Sequence, residues 1–278
     1  RFAALGVLLP FAYGTPVFAV YRAAVATAIG DSSLAESGPT LTLVLGITGG
    51  SIAGKWLLHW AVVRHGMRAR RRWARDATLA GLVSWLVLDS ASSLAAGAWA
   101  NVVMVNVLPP LLVLPLLGRV WSRCDRASEA PAPAHSGPAM LALASAIFGA
   151  GTALVIALAM DTPAFEAWRA GLSEAHFGGA AVPAAARALV RFFAGPIGGA
   201  TLGQFVLAAY VARHAMRAGE RWAWRWSLLS VLAWALVDSS YSLASGGAFN
   251  VLLVNLPCLA LVVPPLVWAG VRFSPRVL

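Results

Sequence analysis

Apolar stretches of about 20 residues alternate with short polar segments along the whole chain, and each is long enough to cross a hydrocarbon core of roughly 30 Å. Eight spans are predicted, at 4–28, 39–63, 77–97, 101–121, 139–160, 187–212, 227–246 and 250–271. The polar segments between them are uneven. Those at 64–76 and 213–225, and the stretches after the fourth and eighth spans, are dense in arginine. With eight spans they all fall on one side, which then carries 16 of the 21 Lys and Arg residues. The other side holds Arg22, Arg169, Arg187 and Arg191 among Asp31, Glu36, Asp161, Glu166 and Glu174, while Lys55 falls within a span. The positive-inside rule then predicts a multi-pass protein of the cytoplasmic (inner) membrane with both termini in the cytoplasm. The alternating segments of about ten residues that a transmembrane β-barrel needs do not occur.

This pattern is written twice. Residues 46–119 align without a gap onto 195–268 at an offset of 149. Trp85, Asp89 and Ser90 return as Trp234, Asp238 and Ser239, Asn101 and Asn106 as Asn250 and Asn255, and Arg72-Trp73 as Arg221-Trp222. Each copy is expected to fold as one unit, and an even number of spans per copy makes the copies parallel. The expected architecture is an all-α integral membrane protein. Its eight transmembrane helices form two parallel four-helix repeats, 1–121 and 139–278, related by a pseudo-two-fold axis along the membrane normal. The Pro-rich stretch 122–138 reads as a cytoplasmic linker. Ahead of the main repeat, 11–15 match 148–152 at offset 137. That shift implies a 12-residue insertion in the external loop of the second copy, at about 161–186. Thr162-Pro163 followed by Phe165, Trp168 and Leu172 predicts a short amphipathic helix there, lying at the membrane surface. The sequence begins at Arg1 and not at Met, so a few upstream residues are expected. The first apolar stretch lacks a cleavage pattern and reads as a span, not a signal peptide.

Composition agrees with the membrane class: 59% of residues are hydrophobic and 12% charged, with a mean hydropathy of +0.74, against roughly 25% charged in soluble domains. The net charge of +10 comes from loop arginines that set topology, so no nucleic-acid partner is expected. The basic segments 68–75 and 217–225 are suited to anionic lipid headgroups instead. Cys124 and Cys258 belong to no CxxC, which argues against a disulfide framework or a thiolate metal site. Tryptophans near span ends, such as Trp73, Trp121, Trp222 and Trp226, read as an interfacial belt.

Polar residues inside spans carry the candidate chemistry. Asp89 and Asp238 lie deep in their spans, where an ionised carboxylate costs at least about 2.5 kcal/mol. Asn106 and Asn255, across a tight hairpin, are expected at the same depth as these acids, with Ser93 and Ser242 one turn along. The groups either hydrogen-bond the hairpin shut or form a proton- or substrate-binding site. Lys55 and His59 share one helix face, and their counterparts are Gln204 and Ala208, so only the first copy carries this basic pair. By depth, Lys55 either pairs with Asp89, with Gln204–Asp238 as the neutral equivalent, or sits in water. Gly46, Gly50 and Gly54, with Gly195, Gly199 and Gly203, are small-residue motifs for close helix packing. Pro109, Pro110, Pro115, Pro257, Pro264 and Pro265 are expected to kink the last span of each copy.

No metal site, cofactor or catalytic motif is expected, and enzymatic activity is not predicted. A lipid-modifying enzyme would need an acid or base open to the headgroups. The function expected is a small-molecule transporter or ligand-binding protein with a polar cavity between the repeats, lined by Asp89, Asp238, Asn106, Asn255 and Lys55. The alternative is a non-catalytic membrane subunit of a larger respiratory or photosynthetic complex, with protein partners.

Overall fold

The computed structural model describes residues 2–107, 110, 111, 114, 115, 118, 119, 124 and 136–273. Its regular elements among these residues are all helical. The principal helices are α1 (Phe2–Tyr13), α2 (Ala19–Ile29), α3 (Ser32–Glu36), α4 (Pro39–Ala61), α5 (Arg72–Ala95), α6 (Trp99–Asn101), α7 (Ser136–Ala159), α8 (Glu166–Phe177), α9 (Ala184–Val211), α10 (Arg221–Ala244), α11 (Ala248–Asn250) and α12 (Leu256–Phe273). Six continuous segments are long and apolar enough to cross a membrane: Pro39–Met67, Arg72–Ala95, Gly137–Ala159, Ala184–Met216, Arg221–Ala244 and Ala248–Arg272. The chain is a multi-pass helical membrane protein. These six match the expected second, third, fifth, sixth, seventh and eighth spans. Most of the expected fourth span beyond Val107, with Pro109, lies outside the described residues, as do Trp121 and 125–135 of the linker.

The expected first span is not one helix. Its two parts meet at 86°, because Thr15 is extended (φ −81°, ψ 161°) ahead of Pro16, the conformation a following proline imposes. The same break recurs at Thr162 (φ −85°, ψ 166°) and Pro163. At both breaks an arginine side chain folds back onto the carbonyls freed at the end of the preceding helix. Arg22 Nη1 donates to the Thr15 carbonyl at 2.7 Å and to that of Tyr13. Arg169 Nη1 donates to Met160 at 2.7 Å and to Thr162 at 2.8 Å. The cation also opposes the negative end of the helix dipole.

Thr15, Pro16, Phe18, Tyr21 and Arg22 thus correspond to Thr162, Pro163, Phe165, Trp168 and Arg169 at an offset of 147. The match at offset 137 gives way to this one, so the segment between the break and the main repeat is about two residues longer in the second copy, in place of a 12-residue insertion. The amphipathic helix expected there is α8, with Trp168 and Leu172 buried. Its first-half equivalent is α2.

The centre is made by α4 and α9, lying side by side and each crossed by a helix of the other half. Gly50 packs on the Trp234 carbonyl and Asp238 of α10, and Gly199 packs on the Trp85 carbonyl and Asp89 of α5. Likewise Gly46 meets Tyr241 and Gly195 meets Ser92, while Gly54 meets the Ser230 carbonyl and Gly203 that of Gly81. Each contact has a counterpart 149 residues away with the halves exchanged. A Cβ on Gly50 would lie 2.8 Å from the Trp234 oxygen, and one on Gly199 2.6 Å from Asp89 Cβ, so the backbones meet where only glycine fits.

At the arginine-rich end, α4 and α9 run on through π-helical turns, Val62–Met67 and Ala212–Met216. Beyond them Arg70 (φ 56°) and its counterpart Gly219 (φ 74°) reverse the chain in the left-handed region. Four rings stack between the two reversals. Trp73 and Trp222 lie parallel at 6.3 Å, His65 stacks on Trp222 at 5.0 Å, and His214 stacks on Trp73 at 5.5 Å. Trp73 is only 4% exposed, so it belongs to the seam between the halves and not to an interfacial belt. Next to the stack Arg71 pairs with Glu220, its own counterpart.

Gly50→Ala and Gly199→Ala are each expected to cost about 1–3 kcal/mol through overpacking, read as a lower unfolding temperature in detergent. Gly151→Ala, where the added carbon meets open space, is expected not to lower that temperature, since alanine favours the helix.

Candidate functional site

Asp89 (0% exposed) and Asp238 (1%) each sit in a shell of neutral donors. Ser93 Oγ donates to Asp89 Oδ1 at 2.9 Å and Ser242 Oγ to Asp238 Oδ1 at 3.0 Å, both one helical turn along. Asn101 Nδ2 donates to Asp89 Oδ1 at 2.8 Å, and Asn250 Nδ2 to Asp238 Oδ1 at 2.8 Å. Each of these asparagines is held from the other side by the helix that follows the Thr-Pro break. Tyr21 Oη on α2 donates to Asn101 Oδ1 at 3.1 Å, and Trp168 Nε1 on α8 to Asn250 Oδ1 at 3.0 Å. With its carbonyl oxygen engaged, each amide has to turn its N–H toward the carboxylate.

Asn106 and Asn255, the partners expected from depth, join the same networks. Asn255 Nδ2 donates to Asp238 Oδ1 and to Ser239 Oγ, both at 3.0 Å, and Asn106 Nδ2 donates to Ser90 Oγ at 3.1 Å. Residues 101 and 106 serve one site because the chain between them is π-helical, as it is between 250 and 255. An i→i+5 turn brings residues five apart back toward one face. Asn101 and Asn250 were legible as a repeated pair, but α-helical spacing gave them no role beside the acids.

Lys55 does not pair directly with Asp89. The Trp85 indole stands between them: Lys55 Nζ lies 3.3 Å from the Trp85 ring centroid and 4.7 Å from that of Trp56, and Trp85 Nε1 donates to Asp89 Oδ2 at 3.1 Å. Desolvated cation–π contacts of this kind are worth about 2 kcal/mol. Lys55 is 1% exposed and takes part in none of the ion pairs among the described residues. The neutral counterpart also binds elsewhere, since Gln204 Nε2 donates to Ser230 Oγ at 3.3 Å and not to Asp238. One turn from Lys55, His59 is 3% exposed and lies 5.2 Å from the Trp56 ring; the backbone carbonyls of Thr78 and Lys55 face its ring, though neither ring nitrogen makes a well-formed hydrogen bond.

The polar residues expected to line a cavity are packed instead. Asp89, Asp238, Asn106, Asn255 and Lys55 are all at most 1% exposed. Two cavities beside the networks hold about 20 and 30 Å³, room for about one water each. The first is lined by Gln204, Ala208, Ser227 and Ser230, the second by Val44, Ile47, Asn250 and Val254 among others. Among the described residues no group of three or more His, Cys, Asp or Glu could hold a metal ion. Both cysteines are free.

His176 closes the end of the bundle opposite the arginine-rich turns. Its Nδ1 lies 3.0 Å from Thr40 Oγ1 on α4 and its Nε2 2.9 Å from the Ser245 carbonyl. The two contacts together assign the proton to Nε2, which donates to the carbonyl, and leave Nδ1 to accept from the hydroxyl. No family model, curated protein or solved structure matches the chain. Fold and site therefore define a class, a multi-pass helical membrane protein with two buried, hydrogen-bonded carboxylates.

Burial holds His176 below its ordinary value of 6.5, partly offset by the Ser245 carbonyl. A depressed histidine binds fewer protons folded than unfolded, so its contribution is complete above about pH 6.5 and is lost as pH falls below that. Protection factors for 166–177, exchange rates corrected for the intrinsic rate at each pH, are expected to fall from pH 7 to 5, and His176→Ala to remove that fall.

Proposed function

We propose that the protein is a small-molecule transporter or ligand-binding protein of the cytoplasmic membrane, with Lys55 and His59 as its reactive pair. One observation carries this reading. The second half keeps the whole aspartate network while replacing these two residues by Gln204 and Ala208, so the scaffold needs neither. A buried amine with no direct ion pair, beside a buried imidazole with no well-formed hydrogen bond, is costly, and the cost has a use if a ligand's anionic group or a proton is taken up there. Asp89 senses the amine through Trp85, and Asn101 and Ser93 hold that carboxylate in place.

In this reading the chain has eight spans in two parallel four-helix repeats, with both termini in the cytoplasm. The register of α4 against α9 supports it. Ser51 meets Thr201, Gly54 meets Gln204 and Gly203 meets Lys55, so equivalent helices run in the same direction, as a two-fold axis along them requires. The arginines around both π-helical turns support the orientation. No catalytic step is part of the proposal.

Lys55→Met, which deletes the buried charge and keeps the bulk, is expected to fold and to gain up to about 2 kcal/mol. The check is a thermal-shift screen of small organic carboxylates and phosphates against the detergent-purified protein. Ligands should stabilise the wild type and leave Lys55→Met unmoved. An identical response from both, or no response from either, would refute the assignment. The packed state of all five polar residues favours a second reading, a non-catalytic subunit of a larger membrane complex. Stoichiometric partners retained on a C-terminal tag after mild detergent extraction would support that reading, and a lone protein would remove it.

A further inference from the structure

We infer that the second half carries a built site for one anionic phospholipid at the arginine-rich membrane surface, between α7 and the π-helical turn after α9. A cavity of about 230 Å³ opens there, lined by Ala139, Met140 and Leu143 on one side and by Ala212, Arg213 and Arg217 on the other. It is several-fold larger than the one-water spaces in the core. It is smaller than the 300–1,000 Å³ typical of drug-sized ligands. An occupant the size of a headgroup fits.

Charge and shape agree on which headgroup. Arg213 and Arg217 are exposed, and neither has a carboxylate partner among the described residues, where Arg71, Arg72, Arg75 and Arg191 form the ion pairs. Two guanidinium forks on one wall suit a phosphate diester, whose oxygens accept two parallel N–H bonds. The facing wall is apolar and continues outward. Met140 is 60% exposed and Leu141 49%, with Ile147, Phe148, Leu154 and Leu158 exposed farther along α7. An acyl chain can follow that strip, whereas free phosphate gains nothing from it. The first half does not present the same pair, because the Arg64 guanidinium, counterpart of Arg213, lies over the Trp60 ring at 5.4 Å.

This inference rests on the membrane class and not on the Lys55 site, so the two stand or fall separately. The test is native mass spectrometry of the full chain released from bilayers mixing phosphatidylglycerol with phosphatidylcholine. The wild type should retain one phosphatidylglycerol in preference to phosphatidylcholine. Arg213→Ala with Arg217→Ala should weaken retention by about 30-fold, the scale of two arginine contacts at a charged surface. Leu143→Trp, which fills the apolar side and spares both arginines, should abolish retention. Arg221→Ala with Arg225→Ala, on the same face outside the cavity, should change it by less than about twofold. Equal loss from that control pair would mean a diffuse basic surface and overturn the site. Displacement of phosphatidylglycerol by inorganic phosphate alone would overturn the lipid assignment, as would no preference between the two lipids in the wild type.

Discussion

A carboxylate held in hydrocarbon must be met by donors that are themselves held in place, and the architecture follows from that requirement. Asp89 and Asp238 are each met first by a serine one turn along, then by an asparagine from the next helix, whose own carbonyl is engaged by Tyr21 on α2 or Trp168 on α8. Three helices are thereby tied into one chain of bonds in each half. The root of each aspartate side chain is closed by backbone, since Gly199 packs on the Asp89 Cβ and Gly50 on the Asp238 Cβ. Those glycines come from the opposite half. Neither acid can be covered unless both halves are present, so the polar networks and the packing between halves are one constraint.

Within this matched frame the departures stand out. Trp85 donates to Asp89, and Lys55 and His59 bring basic groups to a place where the other half has an amide and a methyl group. In the second half the equivalent space is a cavity of about 20 Å³, while in the first it is filled by the Lys55 and His59 side chains. The aspartate network is completed in the second half without that basic pair.

Much of this could be read from the chain, and the misses have identifiable physical causes. Long apolar periods gave the helices, and Asp-Ser spacing of four gave the first bond to each acid. The role of Asn101 was hidden because depth was reckoned with α-helical rise, whereas the π-helical turn brings 101 and 106 to the same site. The correspondence of Thr15, Pro16 and Arg22 with Thr162, Pro163 and Arg169 was also present in the sequence. A gapless match at 149 cannot cross a two-residue change in loop length, and a chance match at 137 took its place. Pairing Lys55 with Asp89 by depth left out the indole between them, which a one-dimensional measure cannot see.

At the arginine-rich seam, the position that is arginine in the first half is glutamate in the second, and the two meet each other. Positions on a two-fold axis face their own counterparts, so two first halves would set Arg71 against Arg71, and two second halves Glu220 against Glu220. Either pairing brings like charges together, while the mixed pairing joins opposite ones. Of the positions at which the halves differ, this one makes the seam complementary to the other half and not to itself.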